Sequence, residues 1–373
     1  VENAKISAYQ LFVLIVLFEL GSAILVPLAI DAKQEAWLAI LISTLGGLCL
    51  FWLYFRLYEY YPDRSPVEYI QALLGKIPGS IIVFAYILFC LYLSARVLRD
   101  FGEMLVTVAY PETPLFIINT IMIAAAAYAV RKGIETIART GELLFVLFSF
   151  LFISAFFLIS VAGIIDVSNL RPAFENGLTP VVKTAFTQTL YFPFGEVVAF
   201  AMIFPYVNNA KEAKKAGLLA VLVSGVTLAL MMASNTSVLG IELVSRSLFP
   251  LLSTIQTIEV FDFIERLDVY FMLASVIGGF FKISLFFYIA VRALAILFNE
   301  QQPIRLAYPI GMVILVLSMM TASNFSEHLT EGIKSTLFTH LPFQVVFPFL
   351  LFLLAAVKHR RKKQAGADGR DSL

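Results

Sequence analysis

The sequence predicts an all-α integral membrane protein: ten transmembrane helices in two inverted five-helix repeats, with the first and sixth helices discontinuous. Three observations carry this reading. Of the 373 residues, 60% are hydrophobic and only 14% charged, with a mean hydropathy of +0.87, whereas soluble domains carry about 25% charged residues. The apolar residues fall into segments long enough to cross a bilayer, separated by short charged loops. The first and sixth of those segments each hold a carboxylate beside a glycine near their middle.

The expected spans, in order, are Ala8–Ile30, Ala36–Phe55, Ile81–Val108, Pro114–Val130, Leu143–Ile165, Thr184–Val207, Ala216–Ile241, Val269–Phe298, Leu306–Ala322 and Leu341–Val357. At about 1.5 Å per residue, the third and eighth exceed a hydrocarbon core of about 30 Å, so both tilt or project beyond it. The first apolar run is too long for a cleavable signal and lacks a small-residue cleavage site, so it is expected to be a span itself. Cys49 and Cys90 lie within apolar runs and read as packing residues, not as a disulfide or metal pair.

Lysine and arginine set the orientation. One set of ends carries Lys5, then Arg56, Arg64 and Lys76, then Arg131, Lys132 and Arg139, then Lys211, Lys214 and Lys215, then Arg305 and the tail from Lys358 to Lys363. The opposite loops hold little more than Lys33, Arg171, Lys183, Arg246 and Lys334, with Arg266 at a boundary. Both termini are therefore expected in the cytoplasm. Residues 1–165 form the first repeat, 166–357 the second, and 358–373 a basic tail that favours anionic headgroups and ends in an unstructured stretch.

Two linkers carry structure of their own. Ser65–Lys76 has proline at its start, Glu68 in its first turn and Gly75 near its end, the signature of a short interfacial helix. Val244–Arg266 sets Leu248, Phe249, Leu251, Leu252, Ile255 and Ile258 ahead of Glu259, Asp262 and Glu265. It reads either as an amphipathic lid or as a loop helix packed on the outer surface.

The sixth span organises the functional reading. Pro193 and Gly195 interrupt it and Glu196 follows directly. Proline removes an amide donor, and a freed backbone group in hydrocarbon costs several kcal/mol, so such a break survives only in protein or beside a cavity. Thr184, Thr187, Gln188 and Tyr191 approach it at helical spacing as one polar stripe. The first span has the matching break at Phe18-Glu19-Leu20-Gly21-Ser22-Ala23. Paired interrupted helices point to a transporter-type binding site, because half-helix ends offer amides to a carboxylate and carbonyls to an ammonium. The plainer reading is a pair of packing kinks.

The segments Phe18–Ala23, Ile165–Pro172, Phe194–Val197 and Phe263–Arg266 resemble the spore germination permeases, the B subunits of nutrient germinant receptors, within the amino acid–polyamine–organocation transporter superfamily. The resemblance runs from Ile6 to Val357. It implies a fold like that of the sodium-coupled leucine transporter. By position, Gly21, Ser22 and Ala23 of span one and Tyr191, Pro193, Phe194 and Gly195 of span six would meet the ligand, with Phe89 walling the pocket from span three. It further implies a nutrient ligand, first an amino acid, A and C receptor subunits as partners, and residence in the spore inner membrane. Lys282 stands where relatives have an uncharged side chain, and an ammonium there would replace a sodium ion.

Lys282 is costly in a membrane centre, about 2.5–3.5 kcal/mol on insertion scales. It is either a coupling group that exchanges a proton or a static partner of Glu19 or Glu196. Arg96–Asp100 and Arg99–Glu103, at i, i+4 on span three, read foremost as a structural ion-pair ladder. His328, His340 and His359 fall in a loop, at a span end and in the tail, and no nucleophile–base or metal-ligand spacing appears. The chain therefore reads as no enzyme, with no cofactor and no nucleic-acid partner. Three functions stay open: a nutrient-sensing receptor subunit in a lipid membrane, a proton-coupled amino acid transporter, and a scaffolding or channel-like subunit.

Overall fold

A computed structural model describes residues 4–172, 174–175, 177–258 and 267–368, with side chains described as far as Arg361. The described chain is helical apart from loops and a single parallel β-bridge between Ile6 and Val207. The Phe263–Arg266 stretch and the acids at 259, 262 and 265 lie outside the described residues.

Helix α1 (Ala8–Ala23) starts at a capping box, in which the Ser7 hydroxyl accepts from the Gln10 amide and the Gln10 side chain accepts from the Ser7 amide. Every residue from Val13 to Ala23 is buried, as befits a helix apolar all round. The expected span to Ile30 is corrected here: the helix stops at Ala23 instead of breaking and resuming, and Ala29 and Lys33 take positive φ before α2 (Ala36–Tyr60) begins. Ahead of Pro27 the chain cannot extend the α1 ladder, and residues 24–29 become a loop.

The short helix α3 (Pro66–Leu74) forms as expected, boxed by Ser65 and Glu68 and ended by Gly75 at φ 93°. Helices α4 (Lys76–Val108), α5 (Leu115–Lys132) and α6 (Ile134–Val161) follow. In the loop after them, Asp166 accepts from the Ser168 amide at 2.8 Å, and its bonds to Ser168 hold the carboxyl below the usual carboxylate range. Asn169 donates to the Ser237 carbonyl at 2.9 Å, which ties the Asn-Leu-Arg-Pro motif to a later helix.

The sixth segment begins as α7 (Thr179–Thr184), widens over Ala185–Thr189 and tightens into 3-10 turns over Phe194–Met202 and Phe204–Tyr206. Then come α8 (Ala210–Leu239), the short helices α9 (Ile241–Arg246) and α10 (Pro250–Gln256), α11 (Asp268–Leu297) and α12 (Ala307–Met320). Helix α13 (Phe325–Leu341) passes through wide turns at Pro342–Val346 into α14 (Phe347–Asp368). The tenth span therefore starts well before Leu341. The wide turns absorb Pro342, which has no amide to give the ladder. His328, expected in a loop, stands inside α13.

Among the described residues eight helices are long and apolar enough to cross a membrane. The first and sixth expected spans appear as the shorter α1 and the interrupted 179–206 segment. Helix α1 lies between α6, α8 and α11, α4 packs along α11, and α2 packs on α8 and the 3-10 segment. Glycines set the closest approaches. A β-carbon on Gly278 of α11 would lie 2.6 Å from the Gly21 Cα of α1, and one on Gly47 of α2 would lie 2.7 Å from the Phe194 Cβ. One end of the bundle is closed where Ile6 donates to the Tyr206 carbonyl at 2.9 Å and accepts from the Asn208 amide at 3.1 Å.

Gly278→Leu should therefore drive α1 from α11 and cost about 1–3 kcal/mol. The check is a lower midpoint of thermal unfolding in detergent, with Leu222→Ala on an exposed face as the control. An unchanged midpoint would contradict the close contact.

Candidate functional site

The broken sixth segment builds the site. Over Ala185–Thr189 the turns are wide, and the Leu190 amide reaches back to the Ala185 carbonyl at 2.9 Å. The Tyr191 and Phe192 amides then share the Gln188 carbonyl at 3.0 and 3.1 Å, and Pro193 offers no donor. The Glu196 amide returns to the Pro193 carbonyl at 3.0 Å. This change of helical width rotates the face of the segment. Gln188, Thr189, Phe192 and Glu196 come to one wall, while Thr187 is half-buried off that wall and Thr184 and Tyr191 are buried elsewhere. The expected polar stripe through Thr184, Thr187, Gln188 and Tyr191 is thus not kept, since its spacing presumed uniform α-helix.

That wall closes a cavity of about 370 Å³, a vestibule lined by apolar and polar residues together, between the 26–30 loop, α4, the broken segment, α9 and α13. Its lining includes Arg96, Asp100, Gln188, Glu196, Arg246 and His340. At its floor Glu196 Oε2 stands 2.5 Å from Lys282 Nζ, and both side chains are shut off from solvent. The His340 Nε2 lies 3.9 Å from the other Glu196 oxygen. The ammonium also faces the rings of Phe18 and Phe192, 5.1 and 4.8 Å from their centroids. Glu19 is fully buried, and neither of its oxygens has a hydrogen-bond partner. Behind the pair, the Gln344 amide is buried without a partner beside Gly195, while the Tyr54 hydroxyl donates to the Gln344 carbonyl at 2.5 Å.

Beyond this floor lies a separate apolar cavity of about 70 Å³, walled by Tyr54, Tyr69, Tyr86, Phe89 and Cys90 among others. Phe89 stacks on Phe343 at 4.6 Å and meets His340 edge-on at 5.4 Å. Burial pushes the Tyr69 phenol, on the interfacial helix α3, well above the usual tyrosine range. Phe89 and Tyr54 of this chamber thus touch His340 and Gln344, which stand beside the Glu196–Lys282 pair of the vestibule.

The residues expected at the ligand distribute around this pair. Gly21 touches α11 at Gly278, the Ser22 hydroxyl is buried and unpartnered, and Ala23 is the last residue of α1. Tyr191, Pro193, Phe194 and Gly195 pack inward, Phe194 against Gly47 and Gly195 against Gln344. Phe89 belongs to the apolar chamber. Of the coupling candidates, Glu196 and Lys282 are joined directly, with Glu19 buried nearby. The sequence reading passed over His328, His340 and Gln344. A signal existed: His328, Gly332, Thr336, His340 and Gln344 recur every four residues, one face of a single helix. Placing His328 in a loop hid it.

Comparison with known proteins agrees with this architecture. A family model described as spore germination protein matches residues 5–326. Spore germination protein KB of Bacillus subtilis (strain 168) is 51% identical over 365 residues, covering 98% of each chain. Spore germination protein A2 of the same organism is 24% identical over 370 residues, 95% of this chain and 97% of its own. Among solved structures, the nucleobase-cation-symport-1 transporter MHP1, closed with bromovinylhydantoin bound, matches 90% of this chain and 76% of its own at a TM-score of 0.69 and 12% identity. MhsT in complex with L-phenylalanine matches 95% of this chain and 89% of its own at 0.64 and 14% identity. At such identities the likeness is one of fold.

Removing one member of a buried pair strands the other, at a cost of about 3–5 kcal/mol. Lys282→Met and Glu196→Gln should each lower stability by that order in detergent unfolding. The double variant should recover part of the loss, and strictly additive losses would mean that the two groups are not coupled.

Proposed function

The chain belongs to the spore germination protein family, and on that premise we propose that it is the membrane-embedded, nutrient-sensing subunit of a spore germinant receptor. The observation that carries the reading is the vestibule ending on the Glu196–Lys282 pair, at a segment whose helix is broken where a ligand would sit. The proposed ligand is a small nutrient, an amino acid first, held between α1, the broken segment, α4 and α11. The last turn of α1, Gly21–Ala23, and the broken stretch Pro193–Gly195, with Tyr191 and Phe89 behind them, would close around it after rearrangement from the packed arrangement described above.

The proposed frame is ten spans in two inverted repeats, residues 1–165 and 166–357, followed by the basic tail 358–373. The transporter-fold neighbours support it, as do α1 and the broken segment at corresponding places of the two halves. Binding would favour one conformation of this body in proportion to the ligand's differential affinity for the two states. Partner subunits, the A and C components of the receptor, would convert that bias into a response in the spore inner membrane.

One observation favours a second reading, a proton-coupled amino acid transporter. Two carboxylates are buried near one ammonium, Glu196 paired with Lys282 and Glu19 without a hydrogen-bond partner among the described residues, an arrangement suited to passing a proton between states. Counterflow of a labelled amino acid panel into proteoliposomes holding this chain alone separates the readings. Saturable exchange by the wild type, lost in Lys282→Met, would establish transport with the lysine in the coupling path. No exchange by intact liposomes supports the sensing role.

The orientation has its own test. In a background with Cys49 and Cys90 replaced by serine, a cysteine at Arg64 should react with an impermeant maleimide only from the cytoplasmic side. A cysteine at Glu112 should react only from the other side, and the reverse pattern would invert the topology.

A further inference from the structure

The expected ladder on α4 does not form as a ladder. Arg99 pairs with Glu103 at 2.7 Å, but Asp100 turns to His328 at 2.8 Å, leaving Arg96 without it. The Arg96 guanidinium donates to the His328 carbonyl at 2.8 Å and lies 5.8 Å from the centre of the Tyr92 ring. Among the described residues no carboxylate lies within ion-pair distance of Arg96, nor of Arg246 on α9 at the same cavity. A guanidinium has five N–H donors, so most of those on Arg96 remain open.

The two carboxylates on the cavity wall are already engaged, Glu196 by Lys282 and Asp100 by His328. With Lys282 counted, three cations, Arg96, Arg246 and Lys282, face two carboxylates, Asp100 and Glu196, so the charge balance of the vestibule is positive. Gly332 of α13 places the Arg96 head, since a β-carbon there would overlap the guanidinium. The end of α1, where Gly21, Ser22 and Ala23 are expected to meet the ligand, is poorly suited to a carboxylate. It is a helix carboxyl terminus, whose dipole favours a cation.

We propose that Arg96 is the carboxylate-receiving group of the vestibule, and that the site selects a nutrient bearing a carboxylate over an uncharged one. The inference rests on the reading of this cavity as the ligand site and adds the group that recognises the anionic end. A guanidinium presents two parallel N–H groups at the spacing of carboxylate oxygens, and partial exclusion of water strengthens the pair. The ammonium of a zwitterion would then point toward Glu196 and the carboxyl end of α1. Arg246, exposed at the mouth, would draw anions inward without holding them.

The test uses the full chain in nanodiscs and reads ligand-induced thermal stabilisation. The probes are the free amino acids, each beside its carboxamide, together with propionate, lactate and sorbitol. At least one free acid should bind, with its carboxamide weaker by about 10- to 100-fold, the range of a hydrogen bond to a charged group. Arg96→Gln should bring acid and amide level. Gly332→Ala keeps the charge but displaces the guanidinium, and should move affinity the same way in protein that stays monodisperse. Equal binding of acid and amide by the wild type would overturn the role of Arg96 while leaving the amino acid reading intact. Arg96-dependent binding of propionate or lactate, with no amino acid bound, would support Arg96 and reject that reading. Binding of sorbitol alone, or of no carboxylate by the folded chain, would overturn both.

Discussion

A charged amine closed off from water at the centre of this bundle must have a partner, and the structure is arranged around supplying one. Lys282 belongs to α11, which packs along α4 and touches α1, and its partner Glu196 belongs to the broken sixth segment. For Glu196 to reach that point the segment has to change width at Ala185–Thr189 and tighten after Pro193. The backbone irregularity and the ion pair are thus one feature. The break positions the carboxylate, and the surrounding protein shields the backbone groups that the break frees.

Around this pair the protein separates two environments. The vestibule side sets guanidinium, carboxylate, amide and hydroxyl groups among apolar side chains, whereas the chamber side is almost wholly tyrosine, phenylalanine and aliphatic carbon. Closure at the Ile6 end, where the chain before α1 bonds both sides of Val207, holds the far end of the broken segment. The two ends of that segment are therefore fastened differently: one is tied by backbone hydrogen bonds, the other borders a cavity with room for a solute.

Much of the architecture was legible in the chain. Long apolar runs leave a helix no alternative in hydrocarbon, so eight of the spans expected from length and charge alone appear as long apolar helices among the described residues. Ser65-Pro66-x-Glu68 and Gly75 defined α3 through local capping chemistry, and Pro193-Phe194-Gly195-Glu196 marked the break. The boundaries that failed were those set by proline in context. Pro27 follows a helix that simply stopped, while Pro342 lies within one that continued through wide turns. Both look alike to a reader who sees only composition.

The sequence by itself determined that this is a polytopic helical membrane protein, where most of its long helices lie, and that Glu19, Glu196 and Lys282 are charges set within apolar segments. These follow from local quantities: hydropathy, capping and the price of burying a charge. Tertiary structure alone decided the pairings. Lys282 chose Glu196, Asp100 left Arg96 for a histidine 228 residues away, and Gln344 came to rest beside Gly195. Partners so distant along the chain are chosen by how helices pack and rotate against one another. The rotation of the sixth segment depends on its wide turns, which a uniform helical periodicity does not contain.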